Sequence, residues 1–280
     1  MNNPKVSILI CAYNSGDYIC KTIDSVLNQS FADFELFILD NNSSDKTIEN
    51  IESFKDQRIK LYKSNINYGP YAGLNYLLEK ASGDYIAILD HDDLWANNKL
   101  KKQVGFLDNN FDFIGCGTET IMYYESDKKY FTYYLKEKNN YTIHSSLIFR
   151  KGDYRYDTSV MYFADAYFQK FNLCNGKDLI YNIAEPLTFH LIKDSLNNLT
   201  YSWFKLNSDN IRRLFKVHGI TLYAFLALGY EISRYIIIRA KIAKTFPRFF
   251  KFFDRLPYRV VGGGFHNMDD NRELKESFGI

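Results

Sequence analysis

Residues 6–93 alternate short apolar runs with segments in which apolar residues recur at helical spacing. The apolar runs are rich in β-branched and aromatic residues, which is typical of buried parallel strands. They lie at residues 6–12, 34–39, 59–63 and 85–89. Helical periodicity falls between them, at residues 18–28, 47–54 and 71–80. This alternation predicts an α/β fold in which helices flank a mostly parallel central sheet.

The pattern is less regular after residue 98. Helices are predicted at residues 99–107 and 164–172, and strands at residues 122–124, 130–135 and 145–150. The aromatic segments among them are typical of a mixed region rather than of continued α/β alternation. From residue 208 the chain changes character again, to apolar stretches that lead into a basic and aromatic tail. We therefore expect one domain over residues 1–207 and a helical extension over residues 208–280.

The extension carries an uneven charge, although the formal net charge of the whole chain is only +2. Residues 234–259 contain eight Lys or Arg residues and a single acidic residue, Asp254. No stretch reaches the roughly 20 uncharged residues that a membrane-spanning helix requires. A basic and aromatic helix that lies on a membrane surface is therefore expected. The alternative is a pair of helices packed on the domain.

The four cysteines indicate the compartment. They are widely spaced and include no CxxC pair, which favours a reducing, cytosolic setting. The N-terminal residues lead directly into the first predicted strand, so no signal peptide is expected. Together with the basic tail, this predicts a cytoplasmic protein that is peripheral on the inner face of the cell membrane.

Acidic residues follow two of the predicted strands. Asp40 ends the second apolar run, and Asp90, Asp92 and Asp93 follow the fourth. The carboxyl ends of the strands are where ligands bind in such sheets. Three neighbouring carboxylates repel one another, and a hard divalent cation such as Mn²⁺ or Mg²⁺ removes that repulsion. The alternative is an Asp-rich cap for a helix starting near Leu94.

Several ordered motifs within residues 4–103 resemble the inverting family 2 glycosyltransferases, which have the GT-A fold. The matching segments are VSILICAYN at 6–14, SVLNQSF at 25–31, ELFILDNNSSD at 35–45, NYG at 67–69 with Ala72 and Asn75, and SGDYIAILDHDDLW at 82–95. The resemblance implies that residues 1–103 form the half that binds a nucleotide sugar and that residues 104–207 form the acceptor half.

The resemblance also implies roles for individual residues. Asp40 recognises the nucleobase, Asp92 ligates the metal, and Asp90 faces the ribose or the metal. Asp93 is expected to cap a helix and His91 to act as a spacer in the turn. The implied substrate-binding residues are Ala12, Tyr13, Asn14, Asp40, Asn67, Gly69, Asp90, His91, His144 and His190.

The implied catalytic residue is Asp165, in a segment that resembles the acidic motif of the family. An inverting transferase requires a general base for the acceptor hydroxyl, and the amino end of a helix favours a negative charge there. The alternative role is an N-cap. The sequence departs from the family pattern at Ala164, where Glu is usual, and at Leu74, where Arg is common. A diphosphate contact is therefore missing or supplied elsewhere, and Lys99 is one candidate, although a solvated helix face is its more ordinary role.

His144 and His190 are two further candidates. His144 could contact the acceptor or the diphosphate, or be a satisfied core histidine, whereas His190 could contact the metal or the diphosphate. His190 lies in a segment that resembles the Tyr-Arg-x-His run of the family, in an imperfect register. No Gln-x-x-Arg-Trp motif of processive polysaccharide synthases is present, which favours the addition of one sugar.

The expected function is therefore the inverting transfer of one sugar from a UDP- or dTDP-sugar to a glycan or polyprenyl-linked acceptor. The resemblance points to O-antigen, lipopolysaccharide or capsule assembly, with Mn²⁺ or Mg²⁺ as the cofactor and no nucleic-acid partner. The alternative is a catalytically impaired protein that binds sugar nucleotides or acts as a scaffold. Ala164 and Leu74 favour that alternative.

Overall fold

Four parallel strands form one end of the sheet. The computed structural model describes residues 3–159, 164–193, 215–216 and 265–280. The parallel strands are β1 (Val6–Ala12), β2 (Phe34–Asp40), β3 (Ile59–Lys63) and β4 (Tyr85–Ile88). They lie in the order β3-β2-β1-β4. Ala12 pairs with Asp40, so β1 and β2 end level with each other and their last residues share one edge of the sheet.

Helices connect these strands and cover both faces of the sheet. The helices of this half are α1 (Ile19–Leu27), α2 (Thr47–Ser53), α3 (Pro70–Lys80) and α4 (Lys99–Asn109). Alternate residues of β1 face opposite ways: Ile8 packs with Ile23 of α1, whereas Leu9 packs with Leu77 of α3. Because strands buried on both faces must be apolar throughout, the continuous apolar runs in the sequence are explained. The predicted α/β alternation is confirmed.

Strands of mixed direction extend the sheet beyond β4. They are β5 (Leu94–Trp95), β6 (Gly115–Tyr124), β7 (Lys129–Tyr133), β8 (Lys138–Asn139), β9 (Ile148–Arg150), β10 (Ile180–Ile192) and β11 (His266–Asn267). β9 lies between β4 and β6, and β10 runs parallel to β6. The helix α5 (Ala164–Tyr167) continues as a π-helix over Phe168–Leu173.

Two sequence-based expectations around Leu94 are wrong. No helix starts there, because Leu94 and Trp95 form β5 and pair with β10. Lys99 is also fully buried instead of lying on a solvated helix face. Its Nζ donates to Oε1 of Gln103 at 2.7 Å and lies 3.9 Å from the centroid of the Trp95 ring. Burial lowers the pKa of Lys99 to about 7, so this side chain belongs to the core and not to a diphosphate site.

The end of the chain returns to the sheet. Residues of β11 pair with β7, and a last helix, α6 (Arg272–Phe278), packs Phe278 against Phe189 with ring centroids 5.5 Å apart. This segment therefore packs on the domain, although the sequence assigns it to the extension. The basic residues 234–259 lie outside the described residues. In the described part of the chain, no helix is long and apolar enough to cross a membrane.

Candidate active site

One end of the candidate site lies where β1 and β2 end. Asp40 is buried, and its Oδ2 accepts a hydrogen bond from the Ser43 backbone N–H at 3.1 Å. Its Oδ1 is buried too and has no hydrogen-bond partner among the described residues. Asn14 adopts a left-handed backbone conformation with φ of 45°, and its Oδ1 accepts the Ser44 backbone N–H at 2.9 Å. These contacts join the turn after β1 to the turn after β2.

The two residues before Asn14 differ in exposure. Tyr13 is exposed at the rim, where its ring is accessible to a ligand. Ala12 is fully buried in the hydrophobic core, and its carbonyl accepts the Asn41 backbone N–H at 2.8 Å. The methyl group of Ala12 therefore packs in the core, and contact of Ala12 with substrate stays a prediction.

Asn41 was missed by the sequence analysis, and it organises the loop before α3. Its Nδ2 donates to Asn67 Oδ1 at 2.9 Å and to the Gly69 carbonyl at 3.1 Å, while its Oδ1 accepts the Tyr68 backbone N–H at 3.0 Å. Gly69 has φ of 81°, in the region that favours glycine. Asn67 and Gly69 thus shape the loop, and direct ligand contact by either stays a prediction. The polar run after Asp40 was the available signal for Asn41.

The turn after β4 holds three aspartates, and each has its own basic partner. The nitrogen–oxygen distances are 3.3 Å for Asp90–His144, 2.7 Å for Asp92–Lys193 and 2.8 Å for Asp93–His190. Opposite charges at this range offset the mutual repulsion of the carboxylates. The three carboxylates do repel one another, as the sequence indicates. Because each has a basic partner, this repulsion does not by itself require a metal.

Asp93 ties the end of β10 to the turn and caps no helix. It is fully buried, and it accepts hydrogen bonds from the Ser145 hydroxyl, from His190 Nδ1 and from the Leu191 backbone N–H at 2.9 Å. Burial opposes protonation of His190, but Asp93 outweighs it and raises the pKa of His190 to about 9. His190 Nδ1 is committed to Asp93, while the side chain stays 31% accessible, so contact of the other ring nitrogen with a ligand stays a prediction.

Asp90 begins a chain of polar contacts that runs through His144 to Tyr156. His144 Nδ1 faces Asp90 Oδ1 at 3.3 Å, and His144 Nε2 lies 2.9 Å from the Tyr156 hydroxyl. Burial opposes the charge of both groups, yet their attraction lowers the pKa of Asp90 and raises that of His144. When it is protonated, the imidazole donates from both nitrogens. Tyr156 stacks on Phe168 at 4.0 Å between centroids, which connects this chain to the helix that carries Asp165.

Asp165 lies close to this chain of contacts. It is half-buried at the start of α5, and burial together with the nearby Asp165 carboxylate raises the pKa of Tyr71. Its carboxylate acts electrostatically on both His144 and Tyr156. The fold thus brings Asp165 and Asp90 to the same histidine, although they are far apart in sequence. Ala164, where the family pattern has Glu, is fully buried, and Leu74 lies in the core against β1.

The oxygen-rich turn fits a divalent cation that takes most of its ligands from elsewhere. Asp90 and Asp92 are partly exposed, with 40% and 19% of their side chains accessible. Among the described residues, no group of three or more acidic, His or Cys side chains forms a complete metal site. Mg²⁺ is typically held by one or two carboxylates and by substrate phosphates. His91 is held in place in the same turn, since its Nδ1 donates to the Cys11 carbonyl at 3.2 Å.

This chain belongs to the family described as glycosyl transferase family 2. The family model matches residues 7–168, more than half of the chain. That range includes every residue predicted for the site except His190. The resemblance inferred from the motifs is therefore confirmed.

Two curated relatives match the first part of the chain. An uncharacterised glycosyltransferase of Haemophilus influenzae is 47% identical over 112 residues, which are 39% of this chain and 45% of the relative. The Escherichia coli protein WfgD, named UDP-Glc:α-D-GlcNAc-diphosphoundecaprenol β-1,3-glucosyltransferase, is 41% identical over 122 residues, or 43% of this chain and 48% of WfgD. The matches span about half the length of these relatives.

Solved structures share the fold at low sequence identity. Staphylococcus aureus TarS residues 1–349, in complex with UDP-GlcNAc, superposes with a TM-score of 0.64 at 18% identity, over 76% of this chain and 65% of TarS. The mannosyltransferase PcManGT from Pyrobaculum calidifontis, in complex with GDP-Man and Mn²⁺, superposes with a TM-score of 0.54 at 17% identity. The superposition covers 76% of this chain and 61% of PcManGT. The chain therefore has the GT-A fold, as expected.

Proposed function

We propose that this protein is an inverting glycosyltransferase that moves one sugar from a UDP- or dTDP-sugar to a glycan or lipid-linked acceptor of cell-surface polysaccharide assembly. The observation that carries the proposal is the presence of four aspartates around the candidate site. Asp40 has a carboxylate oxygen without a partner, Asp90 and Asp92 share one turn, and Asp165 lies near the same histidine as Asp90. Asp40 suits a nucleobase, Asp90 and Asp92 suit a diphosphate with its metal, and Asp165 suits an acceptor hydroxyl.

The nucleobase is recognised by Asp40 in this proposal. A buried oxygen without a hydrogen bond costs about 1–3 kcal/mol, and the imide N–H of uracil or thymine can satisfy it. The name of WfgD includes UDP-Glc, and TarS was solved with UDP-GlcNAc, which supports a uridine nucleotide. Tyr13, exposed beside Asp40, offers a ring on which the base can stack.

The chemistry follows from the positions of the carboxylates. Asp165 accepts the proton of the acceptor hydroxyl while that oxygen attacks the anomeric carbon of the donor. The bond from this carbon to the diphosphate breaks, and the diphosphate leaves with the electron pair from the opposite face, so the configuration inverts. A Mn²⁺ or Mg²⁺ ion held by Asp92 and Asp90 supplies positive charge to the departing diphosphate when bound. His144 orients Asp90 through its Nδ1–H.

Nucleotide release tests the proposal on the full-length protein. We expect UDP release when a UDP-sugar, Mn²⁺ and a GlcNAc-diphospholipid acceptor are all present, and no release above background when the acceptor is omitted. GDP-mannose is the matched control donor, because its purine is larger than uracil. Thermal stabilisation by UDP-sugars without release under any condition would instead support the second candidate, a sugar-nucleotide-binding protein. The buried Ala164 favours that candidate.

Membrane association is a further part of the proposal. A lipid-linked acceptor is presented at a membrane surface, and the basic and aromatic residues 234–259 are suited to anionic headgroups. We expect the protein to sediment with vesicles that contain phosphatidylglycerol, and we expect a variant with Gln in place of the Lys and Arg residues of 234–259 to stay in the supernatant. Equal sedimentation of both proteins would contradict this part.

A further inference from the structure

Lys193 occupies a defined place beside the candidate metal ligand Asp92. It directly follows β10, whose end is held by the bonds from Asp93 to His190 and to the Leu191 backbone. The Nζ atom of Lys193 lies 2.7 Å from Asp92 Oδ2. Asp92 and Asp93 therefore both contact the end of β10. Asp92 contacts Lys193, and Asp93 contacts His190 and Leu191.

A second contact fixes the ammonium group from another direction. Lys193 Nζ lies 4.0 Å from the centroid of the Tyr18 ring, which is a cation–π distance. The Tyr18 hydroxyl donates to Glu125 Oε2 at 3.2 Å, so the ring itself is anchored. Lys193 nevertheless keeps 26% of its side chain accessible. The group is held at the site and still open to a ligand.

The chemistry of lysine suits a phosphate ligand. Its ammonium group has three N–H donors on a flexible stem, and lysine commonly binds phosphates as a point charge. The other two basic partners of the turn already use ring nitrogens on protein groups: His144 uses both, on Asp90 and Tyr156, and His190 uses Nδ1 on Asp93. Leu74, where the family pattern often has Arg, is buried in the core and supplies no charge.

We propose that Lys193 binds the diphosphate of the donor and competes with a divalent cation for Asp92. This inference rests on the proposed function and names the residue that supplies the missing diphosphate contact. Without donor, Lys193 neutralises Asp92. When donor and metal bind together, Asp92 turns to the metal and Lys193 to a phosphate oxygen, so that no charge loses its partner. Lys193 also supplies part of the positive charge when the metal is scarce.

Nucleotide affinity measured by calorimetry in EDTA tests the first half of the proposal. We expect Lys193→Met to weaken UDP binding about tenfold, as for one charge-assisted hydrogen bond, and to leave uridine binding unchanged. Lys193→Arg should restore most of the loss. The matched control is Lys275→Met, because Lys275 also pairs with a carboxylate at 2.8 Å and has a side chain that is 32% accessible. An unchanged ratio of UDP to uridine affinity in Lys193→Met would overturn the inference.

Mn²⁺ binding without nucleotide, measured by electron paramagnetic resonance, tests the second half. We expect Lys193→Met to bind Mn²⁺ several-fold more tightly than the wild type, because Asp92 loses its competitor. Adding Asp92→Asn to that variant should abolish the gain. Unchanged Mn²⁺ affinity in Lys193→Met would overturn the competition. Tighter Mn²⁺ binding with no UDP binding by the wild type would support the competition and contradict the proposed donor, so the two failures can be told apart.

Discussion

Replacing Asp165 by Asn is expected to lower kcat by about 10²–10⁴-fold, the usual contribution of a general base, and to leave donor affinity unchanged. The amide keeps the shape of the side chain and cannot accept the proton of the acceptor hydroxyl. The proposal assigns the acceptor to Asp165 and the donor to Asp40, Asp90 and Asp92, and His144 feels the charge of both Asp165 and Asp90. Single-turnover kinetics and a donor titration measure the two quantities separately.

The matched control for this substitution is Asp178→Asn. Asp178 is exposed in the same half of the chain, where its Oδ1 accepts a hydrogen bond from Asn140 at 3.1 Å. The Asp178→Asn variant should keep the kcat of the wild type. If Asp165→Asn and Asp178→Asn turn over equally fast, Asp165 is not the base. If the wild type and both variants bind UDP but none of them transfers a sugar, the protein is a sugar-nucleotide-binding member of the family.

Asp93→Ala is expected to be the most destabilising change in the site, with a loss of about 3 kcal/mol in the free energy of unfolding. It leaves the charge of His190 and the Leu191 N–H without their acceptor, in a place where Asp93 is fully buried. Urea denaturation measures the loss. The control Asp84→Ala removes an exposed ion pair with Lys5 and should cost less than about 1 kcal/mol.

The loss from Asp93→Ala should also depend on pH. The pKa of His190 is raised from 6.5 to about 9 in the folded protein. A raised folded-state pKa contributes stability that is fully present below the unfolded pKa and is lost as pH rises through the folded one. The difference between wild type and Asp93→Ala should therefore be largest below pH 6.5 and shrink above about pH 9. A difference that stays constant over this range would contradict the charge pairing of Asp93 with His190.

The parallel half of the fold could be predicted from sequence because its signals are local. Each strand of that half is an apolar run, and helical periodicity lies between the runs. The two-residue strand β5 could not be predicted in this way, because its pairing with the distant β10 decides its structure. The burial of Lys99 had no local signal either, since it depends on the ring of Trp95 and the amide of Gln103.

The candidate site was only partly predictable for the same reason. The acidic residues of the site follow strand ends or open a helix, and a single sequence reveals such positions. Their partners come from elsewhere in the chain: Lys193 and His190 reach the aspartate turn only because β10 lies beside β6 and β5. Without those partners, the turn looked like a cluster of bare carboxylates that required a metal. With them, the metal becomes one of two cations that can pair with Asp92.

The most direct test of the account is analysis of the product formed by the full-length protein from a UDP-sugar and a GlcNAc-diphospholipid acceptor. Mass spectrometry should show an acceptor heavier by one sugar residue, and NMR should show an anomeric configuration opposite to that in the donor. Asp165→Asn should form this product at a rate lower by about 10²–10⁴-fold. A product with retained configuration, or a ladder of several added sugars, would contradict the account of single, inverting transfer.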